Sequence, residues 1–489
     1  MNNKWKQSLI LAGVATFSLG IYLWYSIIIL GAGYPLDDAW IHQTFARNLA
    51  HFHELSYFDE IPSTGSTSPL WTLLLSVGYY FSDNNYIWTM LLGLGALFVL
   101  GWLGEIAFSR ICPEYQSVFP WAGVILIGEW HFVWAAGSGM ETLVLADIIL
   151  AVLTLLLEKK DRWFWIGALI GIGIWVRPDA LTLLGPAALI LAISIVQQKS
   201  AVKQLFLMLL GLIIFLLPYL YLNYSVSGNL WPNTFFAKQA EYRSLLNRPF
   251  WIRFGDVFRQ HIVGIGILLL PGFFYKTWKS IQERNWVILA FIIWWVGFLL
   301  IYASRLPVTY QHGRYEIPIM PVFFLIAGAG VFKLILVGSQ KKWGRVLAYS
   351  WLLSIILVWI GFFGIGANAY ANDVAIIETE MVISAKWIDK NTPTDAIIAA
   401  HDIGALGYYG NRKIIDLAGL ISPEVVPIIR NEQELWRFIR VKKANYLMSF
   451  PNWYPVITNS LEKVFTTSGD FSPVSGGENM SVYIVNGKK

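Results

Sequence analysis

Charge is scarce in this chain: only 14% of its 489 residues are Asp, Glu, Lys or Arg, against about a quarter in ordinary soluble domains. That deficit excludes a disordered chain, a protein whose main business is nucleic acid, and a single water-soluble globule. Cysteine is almost missing. The lone Cys112 excludes an intrachain disulfide and leaves the redox compartment unreadable. There is no Cys/His cluster, Walker loop, GxSxG elbow or dinucleotide fingerprint, and no internal repeat is visible. What abounds is apolar. Hydrophobic residues make up 56% of the chain and aromatics 16%, with 24 Trp, and the mean hydropathy is +0.54. The main solvent of such a chain is lipid, with aromatic belts at two membrane–water interfaces. The net charge of +5 then reflects Lys and Arg gathered in cytoplasmic loops.

Lys4 and Lys6 precede an apolar run from Leu9 to Leu30. It is too long for a signal-peptide core and predicts an uncleaved helix with a cytoplasmic N-terminus. Further apolar runs lie at Leu70–Phe81, Tyr86–Phe108, Val118–Ala136, Glu141–Leu157, Trp163–Val176, Leu181–Val196, Leu205–Leu222, Val257–Tyr275, Trp286–Ala303, Ile319–Val337 and Val346–Ala369. The set predicts about 11–13 transmembrane helices. Four basic clusters sit in short connections and should be cytoplasmic: Lys159/Lys160/Arg162, Lys199/Lys203, Lys276/Lys279/Arg284 and Lys341/Lys342/Arg345. Arg177-Pro178, Asn223–Asp256, Ser304–Pro318 and everything after Ala371 then fall outside. Parity fails early. Four apolar runs separate the external loop at 31–68 from Lys159, where an odd number is needed. A partial crossing at Leu70–Phe81 or a re-entrant turn within Val118–Ala136 would restore it.

The chain divides at about residue 371. The last 118 residues hold 25 charges and the preceding 371 hold 42. The expected organisation is a membrane domain over 1–371, with its first external loop at 31–69, and a small soluble α/β extracytoplasmic domain over 372–489. In the tail, Asp373–Asp389 and Glu432–Lys442 read as helices. Ala396–Ala400, Ile414-Ile415, Tyr446–Ser449 and Val482–Val485 read as strands.

The chemistry concentrates in external loops. The first carries Asp37-Asp38-Ala39-Trp40-Ile41-His42, then Tyr57-Phe58-Asp59 and Ser63-Thr64-Gly65-Ser66-Thr67-Ser68. Two carboxylates at the hydrocarbon edge are costly unless used. One reading is a general base with its neighbour holding a metal or orienting an acceptor, because a low-dielectric surface raises a carboxyl pKa. The other is a helix N-cap. Arg177, Lys238 and Arg314 are external cations that break the positive-inside trend. Together they suit an anion drawn up from the membrane, such as a lipid phosphate; singly, Arg177 with Asp179 and Arg314 with Glu316 suit local pairing. Glu141 fits either a capping box with Ser138 or a contact to the Asp37/Asp38 site. His401-Asp402 reads as strand-end turn chemistry, since adjacent strand residues face opposite ways.

The blocks Asp37-Asp38-Ala39-Trp40-Ile41 and Ser66-Thr67-Ser68-Pro69-Leu70-Trp71 resemble the first periplasmic loop of GT-C-fold glycosyltransferases, nearest to the terminal arabinofuranosyltransferase group. Ser138–Thr142, Arg177-Pro178-Asp179, Pro232-Asn233-Thr234 through Lys238, Gly313-Arg314-Tyr315 with Pro318, Ala399–Gly410 and Asp416–Leu420 follow in that group's order. Trp40 stands where the group usually has Tyr. The resemblance implies an inverting transferase that takes a hexosyl or pentosyl unit from a polyprenyl-phosphate donor. The acceptor would be a glycan, lipid or protein outside the cytoplasmic membrane; no nucleic acid is involved. Asp37 or Asp38 would be the catalytic base. Arg314, Arg177, Lys238, Tyr315 and His312 would hold the donor phosphate, and Glu141, His42, Thr64 and Ser66 would support the acceptor side. The sequence requires no cofactor; a divalent cation, if used, would fall to Asp37, Asp38 and Glu141. A transporter would instead place charge mid-span, where Asp147 is the clearest candidate. A non-catalytic scaffold would be indifferent to loss of Asp37 and Asp38.

Overall fold

The computed structural model describes residues 3–58, 61–158, 160–197 and 201–485; Asp59, Lys159 and Lys199 of the motifs above lie outside them. Among the described residues, six helices are long and apolar enough to cross a membrane, and Phe250–Ile262 with Gly266–Gln282 adds a seventh if read as one broken span. Four shorter apolar helices accompany them: Pro69–Tyr79, Thr142–Leu157, Trp163–Val176 and Pro178–Ser194. The expected 11–13 spans exceed those seven, and the lower limit is met only if shorter apolar helices also cross. The chain is a polytopic α-helical membrane protein with a small C-terminal sheet.

Several helices differ from their apolar runs, for physical reasons. Val118–Ala136 is two helices, Trp121–Ile127 and Trp130–Gly137. The break falls at Gly128-Glu129, and the Glu129 carboxylate caps the second helix by accepting the His131 N–H at 3.0 Å. The run at Val257–Tyr275 is not one continuous helix. The chain bends by 100° between Phe250–Ile262 and Gly266–Gln282, where Gly264 takes a φ of +78° that other residues rarely adopt. Pro69–Tyr79 has 11 residues, about half of what a full crossing needs. It packs Trp71, Leu75 and Tyr79 on Ala46 and Ala50 of the helix Asp37–Phe52.

The last apolar helix, Lys342–Ile376, does not stop at residue 371. It continues through a π-helical turn at Ile377–Val382 into Ile383–Asn391, so the expected helix Asp373–Asp389 is the end of this rod. Inside the wide turn, buried Glu380 accepts the Met480 N–H at 2.7 Å and the Asn479 amide at 3.1 Å, fastening the sheet domain to the rod.

A short ribbon pairs β1 (Ser56–Phe58) with β2 (Ile61–Pro62). The C-terminal sheet contains β3 (Ile397–Ala400), β4 (Lys413–Asp416), β5 (Tyr446–Ser449), β6 (Glu462–Thr466) and β7 (Ser481–Ile484) in the order β4-β3-β5-β7-β6. Strands β3, β4 and β5 are parallel, and β7 runs antiparallel to β5 and β6. One hydrophobic core joins this domain to the first loop: Trp40, Ile41, Phe45 and Tyr57 pack with Ile398, Leu406, Leu420 and Met448. The carboxyl ends of the parallel strands, where α/β sheets gather ligands, therefore face the start of the helix Asp37–Phe52.

Candidate active site

The first-loop helix begins with Asp37 and Asp38, and the two carboxylates have different partners. Asp37 accepts the backbone N–H of Gly404 at 2.7 Å and of Ala405 at 2.8 Å, one on each oxygen. These amides open the helix Gly404–Tyr409, and Arg47 donates to the carbonyls of Tyr408 (2.9 Å) and Gly407 (3.4 Å) at its other end. The first-loop helix thus grips a six-residue helix by both poles, with the charge signs that its dipole favours. Gly404 is required: a Cβ there would lie 2.0 Å from the Asp37 carbonyl oxygen. Asp38 forms an ion pair with Arg314, and the Lys238 ammonium lies 3.7 Å away. Burial disfavours its charge, but these two cations outweigh that and hold the Asp38 carboxyl well below the usual range. Asp37, pushed up by burial and partly restored by its two N–H donors, rises to about 6.

Lys238 and Arg314 form a partition between two cavities, since both line each of them. The first, about 730 Å³, holds Asp37, Asp38, Glu241, His401, Asp402 and the rings of Trp453 and Tyr454. The second, about 650 Å³, holds Arg177, Glu141, Asp179, Tyr302, Arg305, Tyr315 and Thr67, with Phe235 and Ile301; both of those apolar side chains are exposed. Tyr315 is the hub of the cations. Its hydroxyl receives Lys238 and Arg314, each at 3.0 Å, and the charges of Arg177, Lys238 and Arg314 lie 5.4, 5.4 and 4.9 Å from its ring centre.

Several expected residues are brought together here. Arg177, Lys238, Arg314 and Tyr315 converge, although Arg177 is also bonded to Asp179 at 2.6 Å and to the Tyr302 hydroxyl at 3.2 Å. The local pair Arg314–Glu316 does not form; both Glu316 carboxylate oxygens are buried without a partner. The capping box at Glu141 is not made either. Ser138 donates to the Ala135 carbonyl, and the Glu141 side chain instead meets His42 at 3.4 Å and Arg177 at 3.9 Å. Burial opposes its charge, but His42 and Arg177 hold its pKa below the ordinary value. His42 is a support behind Glu141.

Others are corrected. His312 does not face either cavity: successive left-handed residues Gln311 (φ 53°) and His312 (φ 59°) reverse the chain. They send the imidazole to Asp373 at 2.8 Å, between Trp130 and Trp134. Ser66 bonds Thr72 at 3.0 Å at the start of the next helix, and buried Thr64 lines neither cavity. That loop reaches the second cavity through Thr67, held by the bond from Thr234 to the Gly65 carbonyl at 3.0 Å. Asp37, Asp38 and Glu141 each engage different partners: two backbone N–H groups, Arg314 with Lys238, and His42 with Arg177. Among the described residues no group of three or more His, Cys, Asp or Glu is arranged to hold a metal ion. Asp147 lines neither cavity.

His401 and Asp402 are the residues whose role sequence reasoning missed. β3 ends at Ala400, so strand alternation no longer applies beyond it, and both line the first cavity. His401 bonds Glu241 at 3.0 Å and the Tyr454 hydroxyl at 2.9 Å. Burial alone would lower its pKa, but Glu241 raises it to about 9. Burial and the Asp37 charge push Asp402 up to about 8. The usable signal was their place just after an apolar strand, at the carboxyl edge of a parallel sheet.

Comparison with known proteins places this geometry in a class. A family described as a domain of unknown function (DUF8728) matches residues 368–483. No curated protein sequence matches the chain. Among solved structures, ArnT from Cupriavidus metallidurans bound to undecaprenyl phosphate is similar over 96% of this chain and 97% of its own, at a TM-score of 0.59 and 14% identity. The Archaeoglobus fulgidus oligosaccharyltransferase in its apo form is similar over 99% of this chain and 74% of its own, at a TM-score of 0.64 and 11% identity. The chain has the GT-C fold. Within that fold its similarity extends to these two proteins, at identities that carry the architecture alone.

Proposed function

We propose that the chain is a multi-pass glycosyltransferase of the cytoplasmic membrane that moves a sugar from a polyprenyl-phosphate donor to an acceptor at the outer face. The carrying observation is the partition. Lys238 and Arg314 separate a cation-lined cavity with exposed apolar edges from a carboxylate-lined one, and both touch Asp38. The lipid phosphate would sit on Arg177, Lys238, Arg314 and Tyr315, with its sugar projecting past the partition. ArnT bound to undecaprenyl phosphate supports that donor class. The blocks shared with terminal arabinofuranosyltransferases support a pentosyl or hexosyl cargo on it.

In a single displacement the acceptor oxygen bonds the anomeric carbon as the carbon–phosphate oxygen bond breaks, with inversion. The acceptor proton passes to a first-loop carboxylate. Asp38 is the better placed of the pair, since both Asp37 oxygens already accept backbone N–H groups. An empty site masks Asp38 behind its cations. A phosphate that draws Arg314 and Lys238 to itself removes that mask, so donor binding strengthens the base. The same cations then stabilise the charge that grows on the leaving phosphate.

The topology supports the reading. Loops holding Asp38, Glu141, Arg177, Lys238, Arg314 and Asp402 meet at one end of the helices. If Tyr86–Ile111, the broken stretch 121–137 and Thr142–Leu157 each cross and the short helix Pro69–Tyr79 does not, three crossings separate the first loop from Lys160, which accords with a cytoplasmic N-terminus and an extracytoplasmic C-terminal domain. The test is binding of undecaprenyl phosphate to the full chain in nanodiscs. Arg314→Lys and Arg177→Lys should each weaken it at least tenfold, because a point charge replaces a planar fork. Lys279→Ala, at the opposite end, should not. Equal binding by all three overturns the phosphate site.

A further inference from the structure

Two buried acceptor oxygens in the first cavity have no partner: Oδ2 of Asp402 and Oε1 of Gln311. They come from different parts of the chain. Asp402 follows β3 in the C-terminal domain, and Gln311 sits in the membrane domain's external turn. Orphaned buried polar atoms are rare and call for an explanation. The backbone at Gln311 and His312 is strained as well, with φ/ψ of 53/46° and 59/29°, a left-handed conformation that non-glycine residues rarely adopt. It is this turn that places Gln311 on the cavity. Around the two oxygens stand aromatic rings. Trp453 is 45% exposed; its ring centre lies 4.8 Å from that of His401, with the two planes nearly perpendicular, and 5.2 Å from that of Phe450. Tyr242 and Tyr310, whose hydroxyls bond each other, join Tyr454 in the lining.

We infer that this cavity is a saccharide subsite, in which hydroxyl groups of a sugar donate to Asp402 and Gln311 while its C–H face stacks on Trp453. The chemistry selects the class. The lining cations Lys238, Arg314 and His401 are already paired with Asp38 and Glu241, which leaves a second anion few cations to meet, and the partition cations serve the phosphate. Unfilled acceptors ask for a ligand rich in donors, and an exposed indole asks for one with an apolar face. The C-terminal domain, on this view, supplies one wall of a sugar site through the carboxyl ends of its parallel strands. The inference rests on the transfer reading above only for the source of the sugar, which is either the donor's own unit or the acceptor's. The chemistry of the wall is the same for both.

The experiment uses the full chain in nanodiscs and saturation-transfer difference NMR with methyl glycosides of glucose, galactose, mannose and arabinofuranose. At least one should bind. Asp402→Ala, Gln311→Ala and Trp453→Ala should each weaken it tenfold or more. Trp453 is half-exposed, so its variant keeps the test alive if Asp402→Ala fails to fold. No binding by any glycoside, binding unchanged in the folded variants, or preferential binding of a neutral N-acetylated tripeptide amide would each overturn the inference. Competition assigns the source. Displacement by an undecaprenyl-phosphoryl sugar but not by undecaprenyl phosphate identifies the donor's unit, and no displacement by either identifies the acceptor's. Undecaprenyl phosphate binding on the same preparations separates the two claims. Glycoside binding without lipid-phosphate binding sinks the transfer reading and keeps the subsite; the reverse sinks the subsite alone.

Discussion

The two cavities share a wall and differ in everything else. One is lined by cations around a tyrosine and by apolar side chains that are exposed at its edge. The other is lined by carboxylates, a histidine and aromatic rings, and half of it belongs to the C-terminal domain. The difference teaches that the membrane helices need the tail to complete the carboxylate-lined cavity. The first loop does not reach into open water; its helix shares a core with the sheet domain and is clamped to it by Asp37 and Arg47. Among the described residues, Lys238 and Arg314 are the ones that line both chambers, and both contact Asp38.

The sharpest way to break this comparison is Asp38→Asn. The amide cannot accept the acceptor's proton, and it cannot neutralise Arg314. Transfer of label from an undecaprenyl-phosphoryl sugar in membranes should fall by about 10²–10⁴-fold, the range general-base catalysis supplies. Undecaprenyl phosphate binding should be retained or tightened, since a competing anion is gone. Near-normal transfer would remove Asp38 from the chemistry.

Asp37→Asn should do less, and for a different reason. The amide keeps one acceptor oxygen but turns an NH2 toward the second backbone N–H of the pair Gly404/Ala405. An unsatisfied buried donor costs about 1–3 kcal/mol, and the helix Gly404–Tyr409 would loosen. Transfer should drop roughly tenfold, a barrier change of about 1.4 kcal/mol, with a lower melting temperature. A loss equal to that of Asp38→Asn would mean that the two carboxylates act as one unit.

The carboxylate chamber should also carry a pH signature that the cation chamber lacks. Folding raises His401 to about 9, with Glu241 as the cause, and raises Asp402 to about 8 and Asp416 to about 6 by burial. A group whose pKa rises on folding binds its proton more tightly in the native state. Its stabilisation is complete below the unfolded value and is lost as pH climbs through the folded one. For His401 the loss runs from about 6.5 to 9, and for Asp402 from about 4 to 8. Thermal unfolding of the full chain should therefore move to lower temperature from pH 6 to pH 9, and His401→Gln should flatten that slope. A slope unaltered by the substitution would detach His401 from Glu241.

Much of this arrangement was readable from the residues, and the unread part has a physical cause. Arg177, Lys238 and Arg314 stood out because they lie outside the short basic connections that the positive-inside trend explains, and they line one cavity; Tyr446–Ser449 is a strand, as expected. The length of an apolar run was a poorer guide. Gly264 and the Glu129 cap break helices that look continuous by composition, because a cap or a left-handed glycine ends a helix without changing its hydropathy. The second chamber was hidden for a different reason. Its wall is assembled from Asp38, Gln311 and Asp402, more than 350 positions apart in sequence at the extremes, and no local pattern records which loop ends a parallel sheet faces. The pairing of Arg314 with Asp38 in place of Glu316 is of the same kind, since the competing partner is two residues away.

The smallest expected effect is at His312, and it tests the fold of the turn that separates the chambers. By position His312 lies two residues before Arg314, and a short loop of ordinary conformation would set both toward the phosphate. The left-handed pair at Gln311 and His312 instead sends them in opposite directions, the guanidinium to Asp38 and the imidazole to Asp373. Asp373 also accepts the Trp134 indole N–H at 2.9 Å. His312→Gln can still reach that carboxylate as a donor, so undecaprenyl phosphate affinity should stay within about twofold. Stability should fall by about 1 kcal/mol for the weaker hydrogen bond. A loss of lipid-phosphate affinity as large as that of Arg314→Lys, in a variant that melts normally, would show that the imidazole faces the cation chamber and that the turn has the opposite sense. Gln311 would then lose its place on the saccharide wall, because the same two dihedral angles set both side chains.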